Sequence, residues 1–153
     1  MKSIFGRWTM AAAMVFTLFL AGLVMAGTSF GAGGQEYICV DNEDGTVTDK
    51  NTGLMWQKAP AGPRIWKDAM NYASGLSLGD HSDWRLPTRD ELMGLYNSPC
   101  KRMMDGRVHT TYWSSSFDVY HPGSAWRVDF DDGFVHHDFV PNGVYVRAVR
   151  AGQ

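Results

Sequence analysis

Met10–Met25 is a nearly unbroken apolar run, MAAAMVFTLFLAGLVM, with Lys2 and Arg7 ahead of it and no acidic residue before Ala26. A stretch of this kind does not fit the outside of a small soluble fold, so it divides the chain before any other reading begins. A positive flank, an apolar centre and a small-residue exit at Val24-Met25-Ala26 have the layout of a secretory signal helix. The run is short against the about 20 residues that a membrane-spanning helix needs. Residues 1–26 are therefore expected to be a cleaved signal, with an uncleaved N-terminal anchor as the alternative. No cysteine follows the run directly, so nothing points to a lipid anchor. Residues 27–36 are Gly-rich and polar and read as a flexible leader. That leaves residues 37–151 to fold, enough for one domain.

This remainder is globular in composition. Over the 153 residues, 44% are hydrophobic and 20% charged, which argues against disorder. The charge balance excludes one class of partner. Without Lys2 and Arg7, 12 of the 14 basic groups remain against 16 acids, a formal charge of −4. No basic run exists to track phosphates, so nucleic acid is not an expected partner, and a polyanionic glycan is disfavoured for the same reason. No stable membrane span is expected unless the leader stays uncleaved.

Cys39 and Cys100 are the only two cysteines. In an exported chain an even, widely spaced pair suggests a disulfide; two unrelated buried thiols are the alternative. Neither a CxxC redox motif nor a zinc-type Cys/His spacing is present.

Along the folded part, short strand candidates alternate with turns: Tyr37–Val40, Thr46–Asp49 and Leu54–Gln57, separated by Asp44-Gly45 and Asn51-Thr52-Gly53. Pro60–Arg64 reads as a loop. From Ile65 the spacing of Trp66, Ala69, Met70, Ala73 and Leu76 predicts one face of a helix, with Gly75 and Gly79 as stop signals. Trp84-Arg85-Leu86 is extended ahead of Pro87. Thr88-Arg89-Asp90-Glu91 is a capping box opening a second helix, which breaks at Asn97-Ser98-Pro99. The last third is strand and turn: Tyr112–Ser115, then Ala125–Phe130, a hairpin turn at Asp131-Asp132-Gly133, a return through Phe134–His137, and a closing strand Val144–Arg150. Strands, two helices, then strands make an α+β domain with segregated helices.

Several motifs recur here in one order: Asp44-Gly45-Thr46-Val47-Thr48-Asp49, Thr52-Gly53-Leu54-Met55-Trp56, Trp66 with Ala69, Asp83-Trp84-Arg85-Leu86-Pro87-Thr88, Glu91-Leu92, Tyr112-Trp113-Ser114-Ser115, and Tyr145-Val146-Arg147 with Val149-Arg150. In this the chain resembles the bacterial domain of unknown function 1566, also called the Lcl C-terminal domain after a collagen-like adhesin. The resemblance covers about residues 40 to 150. It implies a C-type-lectin-like fold: two helices packed on short antiparallel sheets, with the chain ends close together. It also implies an exported or surface protein, the namesake being implicated in adhesion to sulfated glycans. The family pattern often carries a cysteine in the first helix and another in the last strand, about where Ala73 and Ala148 stand. Here that bridge cannot form, which leaves Cys39 and Cys100 as a different staple.

The chemistry of the side chains favours binding over catalysis. The acidic turns Asp41–Asp49 and Asp129–Asp132 fail the EF-hand pattern, because Gly45 or Gly133 in sixth place puts a valine first. Only an irregular calcium site is left open, and no cofactor is expected. The five histidines lack ligand spacing, and His136 and His137 face opposite sides of a strand; a zinc site that includes His109 or His121 would have to be assembled by folding. No G-x-S-x-G elbow surrounds any serine, and no catalytic residue is assigned. Formylglycine-generating enzymes have a related fold, but their chemistry needs reactive cysteines in the C-terminal part, and none follows Cys100. The remaining candidate is the C-terminal rim, roughly Met103 to His137, where aromatic faces can stack on a ligand and carboxylates can accept its hydrogen bonds. Its candidate ligand-binding residues are Tyr112, Trp113, Asp118, Tyr120, His121, Trp126, Asp131 and Asp132, although Trp113 and Trp126 also fit strand-internal core positions. The expectation is an exported, periplasmic or secreted lectin-like domain that recognises a glycan or protein surface. A structural module of an envelope complex and an enzyme built on the same loops are the alternatives.

Overall fold

A computed structural model describes residues 38–106 and 110–152. The expected signal helix, the Gly-rich leader, Tyr37 and His109 lie outside the described residues. Among the described residues no helix is long and apolar enough to cross a membrane.

The fold is α+β, with two helices and two sheets. The elements run β1 (Cys39–Asp41), β2 (Thr46–Asp49), β3 (Leu54–Gln57), β4 (Ala61–Arg64), α1 (Trp66–Ser74), α2 (Arg89–Asn97), a short 3-10 helix (Pro99–Met103), β5 (Thr111–Phe117), β6 (Ser124–Asp129), β7 (Val135–Phe139), β8 (Val144–Val146) and β9 (Val149–Ala151). The first sheet has the order β1-β2-β3-β9 and the second β4-β8-β5-β6-β7. The first three strands form the expected meander, and the last strand returns to its edge, pairing Trp56 with Val149. The described chain therefore begins and ends in one sheet.

Three expectations are corrected. Residues 61–64 are a strand: Ala61 pairs with Val146 and Arg64 with Val144, across a register shift. Pro63 is tolerated there because the strand lies at a sheet edge and need not donate on both sides. The closing segment is two strands in different sheets. The chain leaves the second sheet after Val146 and joins the first at Val149, turning through Arg147 and Ala148. The second sheet is also not wholly antiparallel, since β5 and β8 run parallel at Tyr112 and Tyr145.

Local sequence explains both helices. The Thr88 side chain accepts from the Glu91 N–H, and the Glu91 carboxylate accepts from the Thr88 N–H, so the capping box is complete. Leu92 and Leu95 are the face that α2 buries. α1 starts after Ile65 without a side-chain cap, buries Ala69 and Ala73, and ends at Gly75, whose N–H returns to the Asn71 carbonyl. The core has two clusters. One gathers Val47, Trp56, Leu92, Leu95, Tyr112, Val128 and Val149. The other gathers Ala69, Ala73, Trp84, Leu86, Trp113, Ala125, Val146 and Ala148. Neighbouring residues of β5, Tyr112 and Trp113, enter different clusters, because successive strand side chains point to opposite faces. Ala73 and Ala148 are both buried in the second cluster. Cys39 and Cys100 form a disulfide, with Cα atoms 5.3 Å apart, that ties β1 to the 3-10 helix.

Candidate functional site

The eight rim candidates do not form one site. Tyr112 and Trp113 are 2% and 0% exposed and belong to the core. The Tyr112 hydroxyl takes a hydrogen bond from Arg147, and the Trp113 indole N–H donates to the Arg64 carbonyl. Neither is presented at the rim surface, because both faces of β5 are covered at these positions. Asp131 and Asp132 are exposed, but they sit in the β6–β7 turn. The β5–β6 loop lies at the opposite end of β6, about 20 Å away for a six-residue strand. The remaining four, Asp118, Tyr120, His121 and Trp126, are gathered at or beside that loop.

The loop is shaped by its own hydrogen bonds. The Asp118 N–H donates to the Ser124 carbonyl and the Ser124 N–H to the His121 carbonyl, both at 3.0 Å. Asp118 Oδ1 accepts the Tyr120 N–H at 2.9 Å, an Asx-type turn in which a short carboxylate caps the backbone two residues on. Gly123, at φ 82°, supplies the left-handed turn before β6. The result is a carboxylate that is almost wholly buried at the base of a loop whose crown is exposed: Tyr120 is 85% accessible and Val119 79%.

Two imidazoles converge on that carboxylate. Asp118 Oδ2 lies 2.7 Å from His121 Nδ1 and 3.4 Å from His137 Nδ1. The rings stack, with centroids 4.1 Å apart and 18° between planes, and Trp126 stands edge-on to His137. The Arg89 guanidinium lies 5.8 Å over the Trp126 ring, so the half-buried indole is held from two sides. Burial works against ionisation of Asp118. The Tyr120 N–H, the His121 hydrogen bond and the two neighbouring imidazoles outweigh it, holding the carboxyl below the usual carboxylate range. Asp118, His121 and His137 form a group in which one donor atom from each lies within 4.8 Å of the others, which is the type of set that can hold a metal ion.

His137 was not among the rim candidates, yet a sequence signal for it exists. Counting outward from the Asp131-Asp132-Gly133 turn pairs Val128 with Val135, Arg127 with His136 and Trp126 with His137, as observed. That register carries His137 to the Trp126 end of the hairpin. Phe117 and Phe139 are also exposed at this end, where Phe117 pairs with Ala125 and Phe139 with Ser124. The nearby serines are committed elsewhere: the Ser114 hydroxyl donates to the Trp126 carbonyl, and that of Ser116 accepts the Arg89 N–H.

Two concave sites among the described residues lie away from this loop. A cavity of about 40 Å³ is lined by Lys101, Met104, Tyr112, Phe130 and Arg147, far below the several hundred Å³ of a small-molecule pocket. A trough of about 290 Å³ runs between Trp56, Leu54 and the first two turns of α2.

Two sheets, with the last strand returning to the first of them, and two helices between the strand groups define a small α+β domain. Residues 45–150 match the Lcl C-terminal domain, and the chain belongs to that family. No curated protein matches it.

Proposed function

We propose that this is an exported, lectin-like binding domain that uses the β5–β6 loop and the neighbouring end of β7 to recognise a glycan or protein surface. The observation that carries the reading is the crown itself. Phe117, Val119, Tyr120 and Phe139 are all exposed at one end of the second sheet, around a loop that internal hydrogen bonds already hold in shape. Exposed aromatic faces on a pre-formed loop favour binding, because little side-chain entropy is lost when a ligand stacks on them. The lectin-like part of the reading rests on the family and on the return of β9 to the sheet that holds β1. Export is supported by the signal-like leader and by the disulfide, which persists in oxidising compartments.

A glycan array probed with the exported protein tests this directly. Hits should weaken on the order of tenfold in Tyr120→Ala, the stacking contribution of one ring. Asp131→Ala, at the far end of β6, should leave them unchanged. A blank array with folded protein would sink the glycan reading and leave the protein surface as the partner class.

A further inference from the structure

From the convergence of Asp118, His121 and His137 we propose a binding site for a divalent transition-metal ion, with zinc as its reference occupant, at the base of the β5–β6 loop. The site does not depend on what the rim recognises. The donor set selects the class of ion. Two imidazole nitrogens and one carboxylate oxygen suit zinc and its first-row neighbours, whereas calcium and magnesium take oxygen ligands.

Distances and supports agree with this assignment. Bonds of about 2.0–2.2 Å to a tetrahedral ion put neighbouring ligand atoms about 3.4 Å apart. His137 Nδ1 lies 3.4 Å from Asp118 Oδ2, and His121 Nδ1, at 2.7 Å, has to ease back by about 0.7 Å. The stacked rings must also tilt apart so that each can point its Nδ1 lone pair at a shared ion. Their side chains are 57% and 43% exposed, which leaves them room to turn. The carboxylate is different: it is 1% exposed, and its other oxygen is fixed by the Tyr120 N–H. A ligand oriented by an outer hydrogen bond is the usual arrangement in metal sites. Three protein ligands leave a fourth position for water or for a donor atom of whatever the rim holds. Both cysteines are in the disulfide and do not compete for the ion. His136, next in sequence, pairs with Arg127 on the other face of the hairpin and is the internal control.

The test uses exported, untagged protein titrated with Zn2+ by calorimetry, and with Co2+ followed by its visible absorption. One ion per chain is expected, with a dissociation constant of micromolar order or tighter. Co2+ should give the intense d–d bands of a four-coordinate site. His121→Gln and His137→Gln should each weaken binding on the order of 100-fold, and His136→Gln should leave it unchanged. Asp118→Asn keeps an oxygen to accept the Tyr120 N–H, so the loop stays folded while the charged ligand is lost; it should weaken binding to the same degree. The thermal melt of each variant without metal confirms its fold. Absence of zinc binding at about 100 µM, or binding that survives in the three folded ligand variants, would overturn the proposal. A protein that binds zinc and fails every glycan and protein screen would remove the rim reading alone.

Discussion

Arg147 carries its charge into the interior, 2% exposed, and it is held there by dipoles. Its guanidinium donates to the carbonyls of Gln57, Lys58 and Asp105 and to the Tyr112 hydroxyl, and it lies over the Tyr112 ring. One planar fork thus fastens the end of β3, the chain before β5, and β5 itself, at the point where the chain crosses between sheets. Arg147→Leu would leave the buried Gln57 carbonyl and the buried Tyr112 hydroxyl without this donor, each costing about 1–3 kcal/mol. A loss of about 2–6 kcal/mol is expected in urea unfolding, with Arg147→Lys intermediate, because an ammonium lacks the fork that serves both sides. A Leu variant within about 1 kcal/mol of the parent would show that relaxation or water replaces the fork. The sequence alone does not reveal this role. Val144–Arg150 reads as one alternating strand, and only the change of sheet after Val146 turns Arg147 inward. Tyr112 and Trp113 misled in a related way. Their aromatic character fits a ligand platform as well as a core, and burial on both faces of β5 is settled by what packs there, not by the strand's own residues.

At the scale of single elements, α2 was the most legible, because Thr88-Arg89-Asp90-Glu91 states its own start. The structure adds a third participant. Arg85 grips the Glu91 carboxylate with both terminal nitrogens, at 2.8 and 2.6 Å, while the same carboxylate accepts the Thr88 N–H. The Arg85 hydrogen bonds foremost, and then the Thr88 N–H, hold the Glu91 carboxyl below the usual range against the opposing effect of partial burial. A carboxylate whose pKa is depressed by folding stabilises the protein above its unfolded-state pKa, and that contribution fades as pH falls through the folded-state value. Glu91→Gln keeps an acceptor for Thr88 but loses the paired charge. It should cost about 1 kcal/mol near neutral pH, the scale of a cap or an exposed ion pair, and the gap should close as pH drops below about 4. Urea midpoints of the two proteins across that range would show it; a gap constant with pH would mean the pairing contributes nothing. β4 was the least legible element. Ala61-Gly62-Pro63-Arg64 lacks β-branched and aromatic residues, and it is a strand only because β8 offers an edge to pair with. The 3-10 helix was hidden by Asn97-Ser98-Pro99, which ends α2 but also restarts the chain, since the Ser98 hydroxyl accepts the Cys100 N–H.

Across the whole molecule, the two ends of the domain are secured by different means, and this predicts how it fails. The last strand is held by pairing with β3, reinforced where the Gly152 N–H reaches the Gly53 carbonyl and where Arg150 pairs with Asp83. The first strand is only three residues long and lies at the sheet edge, so backbone pairing with β2 alone secures it weakly. The disulfide and the Lys58–Asp41 ion pair supply the rest. The disulfide crosses 61 residues, and cross-linking a loop of that length stabilises by about 4 kcal/mol in the chain-entropy model. It fastens β1 to the segment after α2, beside Asp49, whose carboxylate accepts the Ser98 hydroxyl. The cysteine pair was readable from its number and spacing, but its structural use was not, because that depends on which strand the folded sheet leaves at its edge. Cys39→Ala with Cys100→Ala should lower the melting temperature on the order of 15 °C. Because β1 is peripheral while β5 and β6 lie inside the second sheet, the loss should be seen first as faster amide exchange over Ile38–Thr48. Protection of β5 and β6 should persist below the new midpoint. Exchange that rises uniformly through both sheets would mean the bridge supports the fold as a whole, and an unchanged melt would mean that β-pairing and the Asp41–Lys58 ion pair already hold the first strand.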